Sequence, residues 1–147
     1  MIDYNFYDTK YAAGYRSELS GFEIARKEAI QHFVHKVISI ERPLRVLDYG
    51  AGRGLHVPLW TNMFPSSELF LCDVSSVALQ NCVETYPDLT DRYKLIEDNR
   101  ADFDDGVFDL IVSIEVNTCL LPQMNVLPRS YFQRSQKVIC NQPFQVH

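Results

Sequence analysis

The chain has 147 residues, 46% of them hydrophobic and 22% charged, with a net charge of −5 at neutral pH. That is enough for one domain with its own core, and it is the composition neither of a disordered chain nor of a general nucleic-acid binder. The opening MIDYNFYDTK lacks the basic start and apolar core of a signal peptide, and no stretch reaches the roughly 18 apolar residues of a membrane span, so a cytoplasmic protein without membrane attachment is expected.

Residues 1–19 carry Tyr4, Phe6, Tyr7, Tyr11 and Tyr15 without a clean period and read as irregular or short-helical. SGFE then sets Ser20 three before Glu23, a capping box. Phe22, Ala25, Ala29, Phe33 and Val37 follow at three-to-four spacing, with Ile30, Val34 and Ile38 beside them, which predicts a helix over 21–40 with one apolar face. Pro43 closes it, and LRVLDYG reads as a short buried strand running into a glycine loop. LHVPLWTNMF is helical, with Pro58 tolerated in the first turn, where N–H groups lack intrahelical partners.

SELFLCD is a second strand, SSVALQNCVETY a helix capped by Ser75, and RYKLIED a third strand. VFDLIVSIEV is a fourth, apolar almost throughout, as a central parallel strand should be. Alternating strands and helices predict an α/β, three-layer Rossmann-like domain with a mostly parallel sheet. A single domain over 1–147 is expected, with an N-terminal lid and helix (1–42), a ligand-binding core (43–120) and an atypical tail (117–147). In that tail QKVICN is a candidate fifth strand, but three prolines and five glutamines blur the period, and no Asp or Glu follows Glu115.

RVLDYGAGRG holds the most specific signal. Gly50, Gly52 and Gly54 follow Asp48 at every second position. A dinucleotide loop has its third glycine three residues after the second, where this chain has Leu55, and the Gly-Lys-Ser/Thr of a phosphate-binding P-loop is missing. Open parallel sheets bind ligands beyond the carboxyl ends of their strands, and a glycine turn there admits close backbone approach.

VLDYGAGRG resembles the first motif of class I S-adenosylmethionine-dependent methyltransferases. The resemblance extends to Asp73, which ends LFLCD as the family's acid ends its second strand, and to FDLIVSIEV with its Glu-Val pair. It covers roughly residues 40–120 and implies S-adenosyl-L-methionine as cofactor. The glycines remove Cβ atoms so that the cofactor's amino-acid end can lie on the backbone. Asp48 offers a carboxylate towards its ammonium group, and Asp73, at a strand end expected to open on the cleft, accepts the ribose hydroxyls. Ala51 and Val74 line the same path. Asp98 or Asn99 is placed near the adenine, Tyr11 and Tyr15 in a lid, and Glu115 and Asn117 on the acceptor side. The implied activity is methyl transfer to a small molecule or saccharide; the alternative is a non-catalytic S-adenosylmethionine-binding or scaffold module.

Other patterns point elsewhere. Cys72, Cys82, Cys119 and Cys140 are scattered without a CxxC pair, which leaves buried reduced thiols. The acidic run IEDNRADFDDG is not a calcium loop, because with Gly106 at position six, position one is Ala101. His32 and His35 lie one helical turn apart with no third ligand, so no metal is expected; His56 follows the loop towards the cleft. Family members usually have seven strands, and this chain reads as C-terminally truncated. A sheet lacking its last strands exposes an apolar edge, to be covered by the tail, a homodimer or a partner chain.

Overall fold

The computed structural model describes residues 4–15, 21–38, 42–98, 100–114, 137–140 and 145–146. Five strands form a parallel core: β1 (Arg45–Tyr49), β2 (Glu68–Asp73), β3 (Tyr93–Glu97), β5 (Leu110–Ser113) and β6 (Lys137–Cys140). Two-residue antiparallel strands, β4 (Arg100–Ala101) and β7 (Gln145–Val146), flank them in the order β4-β3-β2-β1-β5-β6-β7. The candidate fifth strand is therefore β6. Val146 and Gln145 pair with Ile139 and Cys140 along its outer edge.

Period-two alternation divides the core. Val46, Leu69, Leu71, Leu110 and Val112 face one side of the sheet, and Leu47, Cys72 and Ile111 face the other. Both faces are covered, which is why β1 and β5 read as near-continuous apolar runs. On the first face lie helices α2 (Gly21–Val37), α3 (Val57–Met63) and α4 (Ser76–Thr85). On the second, Phe103, Val107 and Phe108 pack with Tyr7 of α1 (Tyr4–Ala12). The link from β5 to β6 lies outside the described residues.

The apolar face of α2 differs from the one expected. Ile30 and Val34 are buried and Ile38 partly so, whereas Ala25 and Ala29 are exposed and Phe33 is only half-buried. Residues 30, 34 and 38 form a stripe at i, i+4, i+8, and the larger branched side chains of that stripe, not the alanines, are turned to the sheet. Replacing Ile30 with Ala is therefore expected to lower the unfolding free energy by about 2–5 kcal/mol, while Ala29→Gln changes it by less than about 0.5 kcal/mol. Urea denaturation of the two variants measures this; similar effects would refute the orientation.

Candidate functional site

The carboxyl ends of β1 and β2 and the first residue of β3 meet at one glycine. Asp48, two residues after Val46, is carried by the strand alternation onto the α3 side, where Trp60 Nε1 donates to its Oδ2 at 2.7 Å. It is 1% exposed. Burial pushes its pKa up to about 7, against the Trp60 hydrogen bond and with the help of the Asp73 charge.

The chain then turns sharply. Gly50 and Ala51 N–H both donate to the Cys72 carbonyl, at 2.8 and 3.0 Å, lashing the loop to the end of β2. Gly52 (φ +55) donates its N–H to Asp73 Oδ2 at 2.8 Å and accepts from Tyr93 Oη at 2.5 Å. A Cβ there would lie 2.3 Å from Tyr11 Oη, and one on Gly54 (φ +78) would lie 2.6 Å from Cys82 Sγ. Both positions need glycine for conformation and for space. Lys27 Nζ of α2 donates to the Leu55 carbonyl at 2.7 Å and holds the far side of the loop.

Asp73 is buried, 6% exposed, and not open to the cleft as its place at a strand end had implied. The reason is its second oxygen: Oδ1 accepts Ser75 N–H at 3.0 Å while Oδ2 takes Gly52. The carboxylate is thus shared between the loop after β1 and the turn after β2. Burial raises its pKa against the bonds from Ser75, Gly52 and Val74, and the Asp8 charge adds to the rise. Each oxygen keeps a further lone-pair direction, so Asp73 can still accept from a ligand.

Ser75 caps α4 as expected, its Oγ accepting Ala78 N–H at 3.1 Å. The next partner is not visible in the sequence. Asp8 of α1 accepts Ser75 Oγ at 2.5 Å, Ser76 Oγ at 3.0 Å and Val77 N–H at 3.2 Å. These bonds outweigh its partial burial, the largest single influence, and hold the carboxyl below its usual range. Through Asp8, α1 is docked across the first turn of α4, where the helix dipole favours a carboxylate.

The structure therefore brings together Tyr11, Asp48, Gly50, Ala51, Gly52, Gly54, Asp73 and Val74. Tyr11 is buried over Gly52; Tyr15 is 41% exposed, its ring edge-on to Tyr11 at 5.6 Å. Asp98 is exposed in the tight turn between β3 and β4, its φ of +49° the kind such a two-residue hairpin requires. Asn99, Glu115 and Asn117 lie outside the described residues. His56 is buried with its ring 6.2 Å from that of Trp60, and His32 and His35 are exposed. Burial pushes the Cys82 thiol up to about 12 and that of Cys72 well above its ordinary value, so neither is a nucleophile. Among the described residues no three His, Cys, Asp or Glu side chains are grouped to hold a metal, and no helix is long and apolar enough to cross a membrane.

A family model described as "Methyltransferase domain" matches residues 47–138. None of the curated proteins compared matches the chain. Among solved structures, the chain is similar to the PH0226 protein from Pyrococcus horikoshii OT3, at 20% identity and a TM-score of 0.63, covering 82% of this chain and 58% of that one. A putative S-adenosyl-L-methionine-dependent methyltransferase from Methanococcus maripaludis matches at 16% identity and a TM-score of 0.59, covering 76% and 52%. An S-adenosylmethionine-dependent methyltransferase from Geobacter sulfurreducens, solved with S-adenosyl-L-homocysteine, matches at 16% and 0.59, covering 97% and 56%. At these identities the likeness is one of fold. The chain spans a little over half the length of these structures, and its five-stranded core is shorter than their seven-stranded fold.

The Asp48 carboxyl makes the site's stability depend on pH. A carboxyl whose pKa rises on folding, here from 3.8 to about 7, binds its proton more tightly when folded. Its contribution is therefore greatest at low pH and is lost as pH rises through that window, with a limiting slope of about 1.4 kcal/mol per pH unit. Asp48→Asn removes this dependence while keeping an acceptor for Trp60. Urea unfolding of both proteins across the window should show the variant gaining on the wild type as pH rises; a constant difference would refute it.

Proposed function

This chain belongs to the methyltransferase-domain family, and on that premise we propose that it binds S-adenosyl-L-methionine at residues 50–54 and Asp73 and transfers the methyl group to a small-molecule or saccharide acceptor. The observation that carries the reading is the buried Asp73 carboxylate bonded to Gly52 N–H, which sets a ribose-accepting acid beside a loop of positive-φ glycines. The residues fit such a ligand. Asp73 retains lone pairs for two hydroxyls, and Asp48, with one oxygen on Trp60, has its other for an ammonium group. Contact with Gly52 requires Tyr11 to shift, because its hydroxyl fills the place a side chain there would take.

When bound, the cofactor supplies a methyl group already activated by the sulfonium, so the protein's part is alignment and exclusion of water. In this reading Tyr11 of α1 and Tyr15 of the turn that follows it cover the cleft, Asp98 or Asn99 faces the adenine, and Glu115 and Asn117 meet the acceptor.

Calorimetry with S-adenosyl-L-methionine, S-adenosyl-L-homocysteine, NAD and ATP tests the assignment: the first two are expected to bind, and a preference for NAD or ATP would overturn it. Incubation of methyl-labelled cofactor with small hydroxyl, amine and saccharide acceptors tests turnover, and binding without any product would assign the non-catalytic module. Asp73→Ala is expected to weaken S-adenosyl-L-homocysteine by about 1.5–3 kcal/mol, the scale of hydrogen bonds to a charged group. It should also lower stability, since Gly52 and Ser75 N–H lose their acceptor. Unchanged affinity would leave Asp73 as a brace alone.

A further inference from the structure

Arg53 stands between Gly52 and Gly54 with its side chain folded against α1. Its Nη2 donates to the Tyr11 carbonyl at 2.5 Å, and the guanidinium carbon lies 5.9 Å from the centre of the Tyr11 ring. Its Nε–H, in contrast, is buried without a hydrogen-bond partner. Among the described residues, no carboxylate forms an ion pair with this guanidinium. A guanidinium is permanently charged and carries five N–H donors, and folded proteins satisfy nearly every buried donor. This one is left over in a loop whose backbone is shaped for close approach by a ligand.

We propose that Arg53 is a carboxylate receptor, its Nε–H and charge together taking a planar two-oxygen group. The inference rests on the reading of this loop as a cofactor site. Two sources offer that chemistry: the carboxylate of the cofactor's amino-acid end, which runs along the same loop, or a carboxylate on the methyl acceptor. Nε is buried, so either source needs a neighbour to shift, and Tyr11, which the structure sets against the guanidinium and over Gly52, is the group whose displacement would serve both. A carboxylate at this position compensates the charge and satisfies the stranded donor.

Two measurements on the full chain test this. In side-chain NMR, with the Arg53 Nε–H signal assigned by its loss in Arg53→Lys, acetate is expected to shift that signal saturably. In calorimetry, Arg53→Met is expected to bind S-adenosyl-L-homocysteine at least tenfold more weakly than wild type, while 5′-methylthioadenosine, which lacks the amino-acid end, binds both alike; that result assigns the cofactor's carboxylate. If S-adenosyl-L-homocysteine binds both alike, and acetate still shifts the signal when it is saturating, the carboxylate is the acceptor's. Arg53→Lys keeps the charge without the planar fork, should fall between the other two, and serves if Arg53→Met does not fold. An unmoved signal with unchanged affinity overturns the proposal, as does equal loss of both adenosine ligands, which marks a structural role. Wild type that shifts with acetate yet binds no S-adenosyl-L-homocysteine would strike the cofactor reading and leave the carboxylate receptor standing.

Discussion

Two backbone N–H groups from different turns converge on one buried carboxylate, and the glycine loop depends on that convergence. An ionised carboxylate taken from water is unfavourable unless donors replace the lost hydration, so Asp73 draws Gly52 and Ser75 to itself. In doing so it fixes the turn after β1 relative to the start of α4. Tyr93 adds β3 to the same knot by donating to the Gly52 carbonyl. Three adjacent strands thus bear on a single loop, which is held from β2, β3 and α2 at once.

The interior behind the loop is unusually acidic. Asp48 and Asp73 are both buried, each raises the other's or its own neighbours' pKa, and neither forms an ion pair among the described residues. Their environment favours the protonated acid or a bound cation over a second anion. An ammonium or sulfonium group is suited to such a place, and a phosphate is not. Arg53 lies on the outer side of the same loop, towards α1, so the two signs of charge are separated across the width of one turn.

Helix α1 is held against the loop on different terms. α1 is nine residues long, and a helix of that length is marginal in water by itself. Its position comes from docking: Asp8 on the first turn of α4, Tyr11 on Gly52, and the Tyr11 carbonyl on Arg53. Apart from Tyr11, which is buried, and Tyr7, which packs on the second face of the sheet, these are part-buried polar contacts, and segments held that way open at lower free energy than the core. The sheet supplies a fixed floor, and α1 a part whose place is decided contact by contact.

The strands, the three glycines and Asp73 were legible in the sequence because each follows from a local rule: short apolar runs bounded by turn residues, positive φ, and an acid at a strand end. Ser75 was legible as a cap for the same reason. The partners of those residues were not. Asp8 and Ser75 are 67 positions apart, Tyr93 and Gly52 are 41 apart, and Trp60 reaches Asp48 only because α3 packs on the face to which strand alternation turns that carboxylate. Nor did spacing reveal which stripe of α2 is buried, since alanines and branched residues share its period and only packing against the sheet separates them. The sequence by itself determined the strands' alternation with helices and the shape of the glycine turn, because these are set by neighbours along the chain. The tertiary structure alone decided that Asp73 is buried, that Asp48 faces Trp60 and that Arg53 is left with an unmet donor, because hydrogen-bond satisfaction is a property of groups that meet only when the chain has folded.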